Sequence, residues 1–441
     1  MIVMKFGGSS LASADKVRRC VGLVRRELAR RPVVVVSAHG RTTNLLIEAA
    51  RRALDGKVDL SAVERIHADL CRDLGVDFKV AEPLLAQLSA VLHGVSLLKE
   101  LTPRTLDQVM SFGERMSTRI VASAMEAGGV AAAAVNAYDA GLLTDSNHGH
   151  AAPLPGIDDA IGRALCGMAL VPVVTGFLGK DKKGDITTLG RSGSDFSASI
   201  VGAAIGAEEI QIWTDVNGVM TADPSVDPQA RNLPVLSFTE ASELAYYGAE
   251  VLHPNTLVPA IRKKIPVRVL NTLRPEDEGT VILAEPALGN RIAKSVVYKE
   301  DVCLINVTTE RLMSAAKVLA AAIGILDARG VGVHLAATSE ATVSMVTDRA
   351  YGDEELGPAL EELGRHGAVA VERDLAILCV VGEEMRGRAG AAGKILTVLG
   401  ETGVNARMIS QSASELNVAV LVDNAAIEPA VKALHRMLLG S

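Results

Sequence analysis

The chain of 441 residues has few aromatic residues, no long apolar run and no excess of positive charge. Aromatic residues make up 3% and hydrophobic residues 49%, so the core must be built mainly from Ala, Val, Leu and Ile, as in α/β proteins with buried parallel strands. No apolar run is long enough to span a bilayer, which argues against a membrane helix. A net charge of −7 without a basic stripe argues against nucleic acid as a partner.

The five cysteines are scattered and form no Cys-x-x-Cys pair, which predicts reduced, buried thiols in a cytoplasmic protein. His148 and His150 lie in a loop rich in Gly and Pro, where we expect a surface feature rather than a zinc site. We therefore expect no metal site made of a side-chain cluster. Because a strand-like segment begins at residue 2, we also expect no signal or transit peptide.

Short β-rich runs alternate with helical patterns over roughly the first 270 residues. This alternation predicts an α/β fold, a three-layer arrangement around a mainly parallel sheet. Strands are predicted over 2–6, 33–37, 130–135, 171–176, 209–214, 266–270 and 280–283. Helices are predicted over 12–31, 42–54, 80–100, 105–127, 157–168, 194–205, 239–247 and 254–263. Ligands of such sheets bind at the carboxyl ends of the strands, where the glycine-rich segments of this chain fall.

From residue 302 the pattern changes to two similar passages of βαββαβ type. The first runs through a strand at 302–308, a helix at 312–329, strands at 331–337 and 342–347, a helix at 353–366 and a strand at 368–373. The second runs through a strand at 375–381, a helix at 388–402, strands at 404–409 and 415–421 and a helix at 425–437. We expect a catalytic domain over 1–285 and two ferredoxin-like modules over 300–373 and 374–441, with their interleaving open. Such modules often pair their sheets edge to edge, which predicts a homodimer.

The segment Thr188–Asp195 combines two glycines, an arginine and an aspartate just before a helix. Glycines let backbone amides crowd an anion, and a guanidinium matches a carboxylate or a phosphate. A carboxylate can hold Mg²⁺ or position a cation. These are the groups needed to bring two anions together, as phosphoryl transfer requires.

Three further segments carry candidate site residues. Lys5–Ser10 places a cation before a glycine turn, which suits phosphate oxygens, although an ordinary strand-to-helix turn explains two glycines equally well. In 112–117, Glu114 could meet a substrate ammonium or be a solvated helical residue. In 212–219, the strand end with Trp213 could frame a purine or form an ordinary turn.

Six motifs occur together in order: KFGGSS, SAHGRTTN, FGERMS, TLGRSGSD, WTDVNGVMTADP and AEVLHP. With the repeated tail, they closely resemble aspartate kinases, which are amino-acid kinases with C-terminal tandem ACT domains. The resemblance covers essentially the whole chain. It implies transfer of the γ-phosphoryl group of ATP, with Mg²⁺, to the side-chain carboxylate of L-aspartate. The product, 4-phospho-L-aspartate, leads toward lysine, threonine and methionine.

The resemblance also assigns roles to individual residues. Lys5 would neutralise the transferred phosphoryl group, and Asp195 would orient Lys5 or the metal. The substrate site would contain Ser37, Thr43, Glu114, Arg191 and Ser194, with Arg191 on the α-carboxylate and Glu114 on the α-ammonium. The nucleotide would contact Lys5, Gly7, Gly8, Ser9, Thr214, Asp215, Met220 and Ser225.

This chain departs from the family pattern at three places. Many aspartate kinases have lysine at the position of Glu250 and arginine at that of Ser225, so two cations on the nucleotide side are missing here. Lysine-inhibited relatives usually have aspartate where His334 stands, and a neutral imidazole is a poorer partner for an ammonium. An effector pocket would be bordered by Leu312, Ala315, Leu319, Val333, His334 and Ser339, with lysine, threonine, both or no effector left open.

Two other functions remain open at this point. Another acceptor is conceivable, because acetylglutamate, glutamate, carbamate and uridylate kinases share the sheet and the phosphate turn. A non-catalytic amino-acid sensor with an ACT-type tail is the second alternative. The presence of Lys5, Arg191 and Asp195 favours the catalytic interpretation over the sensor.

Overall fold

The computed structural model describes residues 1–248, 254–286, 292–309, 315–348 and 353–439. The chain divides into two compact units. The first unit comprises Met1–Val219, Asn232–Ser242 and Val251–Pro286, and the second comprises Met220–Arg231, Glu243–Glu250 and Ala287–Ser441. None of the helices in the described ranges has the length and apolar character that crossing a membrane requires.

The first unit has an eight-stranded sheet with the order β3-β4-β2-β1-β7-β9-β10-β8 and a separate two-stranded hairpin, β5-β6. Its strands are β1 (Ile2–Phe6), β2 (Pro32–Val36), β3 (Ala132–Val135), β4 (Val171–Thr175), β5 (Leu178–Lys180), β6 (Ile186–Thr188), β7 (Glu209–Thr214), β8 (Val235–Ser237), β9 (Val267–Asn271) and β10 (Thr280–Leu283). Its helices are α1 (Ala14–Arg26), α2 (Thr42–Leu54), α3 (Ser61–Leu74), α4 (Glu82–Leu98), α5 (Pro103–Ala127), α6 (Asp158–Cys166), α7 (Gly193–Ile205), α8 (Phe238–Tyr246), whose last residues belong to the second unit, and α9 (Pro254–Lys263).

The central strands of this sheet are buried on both faces, as the Val-rich sequence of β2 predicts. Five parallel pairings join β3, β4, β2, β1, β7 and β9, and only the β9–β10 pairing is antiparallel among those described in this sheet. Phe6, the last residue of β1, is in register with Val36 on one side and Trp213 on the other. The segments that follow β1, β2 and β7 therefore emerge side by side at one edge, and this edge positions the site.

The second unit has one antiparallel sheet with the order β12-β13-β11-β14-β16-β15. Its strands are β11 (Ser295–Thr308), β12 (Val333–Thr338), β13 (Thr342–Asp348), β14 (Ala368–Val381), β15 (Met408–Ser410) and β16 (Asn417–Asp423). Its helices are α10 (Ala315–Asp327), α11 (Asp353–Leu363), α12 (Ala391–Glu401) and α13 (Ile427–Leu439).

Several sequence-based elements differ from the structure. The predicted strands 368–373 and 375–381 form one strand, β14. Asp374, which lies between them, adopts a left-handed conformation (φ 61°), but β14 pairs with β11 on both sides of this residue. The strand predicted at 302–308 begins at Ser295, and the one predicted at 404–409 is reduced to Met408–Ser410. The hairpin β5-β6 and strand β8 are not among the predicted elements, because these three strands have only three residues each. Helix α3 is also missing from the prediction, although Val63, Ile66, Leu70 and Leu74 recur at helical spacing.

The two halves of the antiparallel sheet have separate cores. One core contains Cys303, Val318 and Met345, and the other contains Val296, Leu378 and Val420. The first half of β11 pairs with the second half of β14 and packs in the latter core. A segment that precedes residue 300 thus completes the core formed by the C-terminal residues. The predicted modules 300–373 and 374–441, each a continuous range, do not include this segment.

Candidate active site

The glycine turn after β1 lies against the segment that follows β2. A Cβ atom on Gly8 would be 2.8 Å from the carbonyl oxygen of Ala38, so the close approach requires glycine. The amide of Gly40 donates to the Gly8 carbonyl at 3.0 Å. Within the described part of the chain, the amides of Gly8 and Ser9 donate no hydrogen bond. This turn therefore offers two free backbone donors to an anion.

Lys5 is the one charged residue in the fully buried strand β1. Its Nζ lies 2.5 Å from Oδ1 of Asp195, which is in the first turn of α7. The two side chains are 10% and 13% exposed, so the pair is largely shielded from water while remaining accessible. The structure therefore brings the two predicted catalytic residues, which are far apart in sequence, into direct contact.

Glu114 is buried in the middle of α5 and only 3% exposed. Its Oε1 accepts a hydrogen bond from the amide of Ala38 at 3.2 Å, while its Oε2 has no partner among the described groups. Burial raises the pKa of this carboxyl to about 8, against the opposing effect of the Ala38 amide. A buried carboxyl with one free oxygen is suited to a cationic ligand, so the interpretation of Glu114 as a solvated helical residue is wrong.

The segment after β2 is held by α5 and by the turn after β1. Ser117, one turn beyond Glu114, donates to the carbonyl oxygen of Ser37 at 2.7 Å. His39 Nδ1 lies 3.0 Å from the carbonyl oxygen of Leu11, and burial, with His67 nearby, lowers the pKa of His39 to about 3. The neutral ring thus joins the two glycine-containing turns. Sequence reasoning quoted His39 in a motif but gave it no role.

Helix α2 begins at Thr42, and Thr43 lies half-buried in its first turn. Ser37, the first residue after β2, is also half-buried. Ser194 is buried against Gly176, where a Cβ atom would be 2.6 Å from the Ser194 Cβ. Arg191 is exposed on the loop between β6 and α7, and the described residues provide it with no hydrogen-bond or ion-pair partner.

The residues predicted on the nucleotide side fall into two groups. Thr214 is the last residue of β7 and Asp215 follows it, both in the first unit, and the Thr214 hydroxyl donates to Asp215 Oδ1 at 3.2 Å. Met220 and Ser225 belong to the second unit, and Ser225 donates to Asp223 Oδ1 at 2.7 Å. Glu250 lies outside the described residues.

Trp213 does not frame a nucleotide-sized opening. Its side chain is 5% exposed, donates from Nε1 to Gln211 Oε1 at 3.0 Å and stacks on Phe6 at a centroid distance of 6.3 Å. Since alternate residues of a strand point to opposite faces, this position of β7 lies in the core. The suggestion that the tryptophan contacts a purine is therefore wrong.

In the second unit, His334 is part of a charged cluster. Its Nε2 lies 3.0 Å from Asp348 Oδ1, and Lys299 Nζ lies 2.8 Å from the same oxygen. Hydrogen bonds from His334 and Lys299 lower the pKa of Asp348 to about 2. The imidazole at the predicted effector position is thus paired with a carboxylate that sequence analysis did not consider.

The other predicted effector residues that the structure describes lie on α10, on β12 and just after β12. Val333 and Leu319 are half-buried and pack against one core, Ala315 is half-buried, and Ser339 is exposed. Leu312 lies outside the described residues.

The structure shows the environments of the five cysteines and of the two histidines expected at the surface. All five cysteines are free, and four are buried. His150 is exposed as expected, but the side chain of His148 is only 13% exposed. Among the described residues, His148, Asp181 and Asp185 place candidate ligand atoms within 4.8 Å of one another, but Asp185 pairs with Arg104 and Asp181 accepts backbone and Ser146 hydrogen bonds.

Comparison with known proteins identifies this architecture. The model of the amino acid kinase family matches residues 1–271, and that of the ACT domain matches residues 378–438. "Aspartokinase 1, chloroplastic" of Arabidopsis thaliana is 37% identical, over 100% of this chain and 80% of its own length. The chain belongs to the aspartokinases of the amino acid kinase family. "Lysine-sensitive aspartokinase 3" of Escherichia coli is 31% identical over 99% of both chains.

The aspartokinase fold agrees with the described geometry. The crystal structure of E. coli aspartokinase III in complex with aspartate and ADP (R-state) has a TM-score of 0.84, with 30% identity and full coverage of both chains. The complex of that enzyme with lysine and aspartate (T-state) has a TM-score of 0.82, with 30% identity over 99% of both chains. Membership in the aspartokinases confirms the predicted family, the α/β fold followed by ACT-type modules, and the class of ATP-dependent phosphotransferase with a carboxyl acceptor.

Proposed function

We propose that Lys5, Asp195 and Glu114 form the reaction centre of an aspartate kinase, which transfers the γ-phosphoryl group of ATP to the side-chain carboxylate of L-aspartate. The observation that carries this proposal is the buried Glu114 carboxyl with one unpartnered oxygen, whose other oxygen accepts the amide of Ala38, a residue in contact with the glycine turn after β1. Such a carboxyl suits an α-ammonium group, whereas carbamate and uridylate have no ammonium group. This favours an amino acid over carbamate or uridylate as acceptor.

The chemistry requires charge neutralisation more than proton removal. The acceptor carboxylate has an ordinary pKa of about 3.9 and is ionised at neutral pH, so no general base is needed. Lys5 neutralises the phosphoryl group as it approaches this oxygen, and the ion pair with Asp195 fixes the position of its ammonium. The free amides of Gly8 and Ser9 bind phosphate oxygens.

Substrate orientation falls to the remaining residues. Glu114 binds the α-ammonium and Arg191 the α-carboxylate, while Ser37, Thr43 and Ser194 line the same end of the sheet. Thr214 and Asp215 border the nucleotide together with Gly7. The Asp195 carboxylate is the group suited to hold Mg²⁺, which supplies additional positive charge to the phosphates when bound. We also propose that Met220 and Ser225 contact the nucleotide, with weaker interactions than a lysine or an arginine at these positions would make.

We further propose that the second unit binds an amino-acid effector and forms the dimer interface. The E. coli relative binds lysine, so we include a lysine or threonine effector near Ala315, Leu319, Val333, His334 and Ser339. The carboxylate of Asp348 lies in this region and is already neutralised by two partners. A homodimer through the ACT modules and a cytoplasmic location, which the free thiols favour, complete the proposal.

A hydroxamate assay tests the activity directly, since hydroxylamine traps the acyl phosphate product. The full chain is incubated with MgATP and aspartate, and ADP release is followed in parallel with glutamate, acetylglutamate, carbamate and uridylate as acceptors. Hydroxamate should form with aspartate and be lost in Lys5→Ala. Equal ADP release with another acceptor, or none with aspartate, would contradict the proposal. Adding lysine, threonine or both to the same assay identifies the effector.

A further inference from the structure

The most heavily hydrogen-bonded side chain near the site is Asp107, which no motif included. It is fully buried in α5, seven residues before Glu114, so the two carboxyl groups lie on one face of the helix two turns apart. Its Oδ1 accepts the Thr188 hydroxyl at 2.6 Å. Its Oδ2 accepts the Thr188 amide at 3.2 Å, the Gly149 amide at 3.0 Å and His148 Nδ1 at 2.9 Å.

These four donors come from two chain segments: Thr188, at the start of the loop 188–195, and the pair His148 and Gly149. Thr188 is the last residue of β6, and its carbonyl oxygen accepts the Ala151 amide at 2.9 Å. A Cβ atom on Gly190 would be 2.8 Å from His150 Nδ1, so the two segments are in close contact beyond Thr188. Asp107 therefore connects both segments by hydrogen bonds to α5, the helix that carries Glu114.

Arg191, three residues after Thr188, is exposed and has no partner among the described side chains. Its position relative to Glu114 is thus set by the backbone of the loop rather than by contacts of its own guanidinium. The start of that backbone is fixed by the Thr188–Asp107 pair, and its end by the first turn of α7.

We propose that Asp107 is a positioning residue for aspartate binding, which acts through Thr188 to hold the Arg191 loop at a fixed distance from Glu114. Asp107 touches neither substrate nor nucleotide in this role. Its effect on aspartate depends on the function proposed for Arg191, but its effect on loop order does not. Replacing Asp107 by Asn converts one acceptor oxygen into a donor, which must face either the Thr188 hydroxyl or the donors on the other side.

The test compares four variants of the full chain. Thr188→Val removes the hydroxyl but keeps the side-chain shape, and Thr188→Ser keeps the hydroxyl as the conservative rescue. Asp107→Asn alters the acceptor. Thr144→Val is the matched control, because Thr144 forms a buried hydroxyl pair with Thr187, the neighbour of Thr188, at 2.6 Å.

We measure the KM for aspartate, the KM for ATP, kcat and the hydrogen exchange of three amides that form hydrogen bonds in or to this loop. They are those of Ala151, Leu189 and Gly193, which donate to the carbonyl oxygens of Thr188, Phe177 and Gly190 at 2.9, 2.9 and 3.0 Å. In Thr188→Val and Asp107→Asn, the KM for aspartate should rise on the order of 10-fold, which is the effect expected from the loss of one buried hydrogen bond. The KM for ATP should stay within about twofold of the parent value. Exchange of these amides should accelerate by a similar factor. Thr188→Ser and Thr144→Val should behave as the parent.

Two results would overturn the inference. Amides of Ala151, Leu189 and Gly193 that exchange at the parent rate in both Thr188→Val and Asp107→Asn would show that the loop does not depend on this carboxylate. A parallel rise in the KM values of both substrates, shared by Thr144→Val, would show a merely structural role. If the parent phosphorylates no aspartate, the proposed function fails, and the exchange rates still decide whether Asp107 orders the loop.

Discussion

Glu114→Gln tests the central electrostatic feature of the site. Burial raises the pKa of Glu114 to about 8, so in the free protein this carboxyl carries a proton at neutral pH. Binding of the aspartate α-ammonium requires the ionised form, so about 0.9 proton should be released per aspartate bound at pH 7, from the usual titration relation. Glu114→Gln should abolish this release and weaken aspartate binding by roughly 10- to 100-fold, the worth of one charge-assisted hydrogen bond.

The pH dependence follows from the same linkage. Because the proton must leave before the ion pair forms, the dissociation constant of aspartate for the parent should fall about tenfold between pH 7 and pH 9. The Glu114→Gln variant should show no such dependence over this range. The measurement is titration calorimetry in two buffers of different ionisation enthalpy, which gives the number of protons released. Glu126→Gln, at an exposed position of the same helix, serves as the control.

The stability of the ligand-free protein provides a second readout. Between pH 4.5 and about 8, the folded protein keeps a proton on Glu114 that the unfolded chain has lost. The free energy of unfolding should therefore decrease as the pH rises through this window, by up to roughly 5 kcal/mol, an upper bound for a shift of this size. In Glu114→Gln this component should disappear, as urea unfolding at pH 5 and pH 8.5 would show. A parent that releases no proton on binding aspartate, or a variant that releases as much, would refute the reasoning.

Three further predictions concern other residues. Lys5→Ala should lower kcat in the hydroxamate assay by on the order of 10²-fold or more with an unchanged circular dichroism spectrum, and near-parent turnover would remove Lys5 from the reaction centre. Gly8→Ala should abolish ATP-dependent turnover because its Cβ would meet the Ala38 carbonyl at 2.8 Å, whereas Gly22→Ala, with no heavy atom within 4 Å, should keep full activity in the same assay. The pKa of Asp348 is lowered from 3.8 to about 2, so its stabilisation is present above pH 3.8 and lost as the pH falls through 2. Asp348→Asn should therefore reduce the free energy of unfolding at pH 7 by on the order of 1 kcal/mol, and equal urea midpoints for parent and variant would contradict this.

Local features of the sequence were sufficient for part of the fold and of the site. The buried strand β1, the glycine turn after it and the Thr188–Asp195 loop were recognised because strand, turn and helix-start preferences act over a few residues. Tertiary structure changed the interpretation where long-range packing competes with a local signal. Trp213 lies in the core although it is near the end of a strand beside the site, and Asp374 lies inside β14 although its conformation is typical of a turn.

The sequence by itself determined the alternation of strands and helices in the first unit, its mainly parallel sheet and the residue types that phosphoryl transfer requires. Only the tertiary structure decided which of these residues meet and in what environment. Lys5 pairs with a carboxylate 190 positions away in the chain, and Asp107 accepts donors from Thr188, 81 positions away. The reason is that hydrogen-bond partners, burial and the resulting pKa of a group such as Glu114 depend on elements that are distant in sequence, whereas helix, strand and turn preferences depend on immediate neighbours.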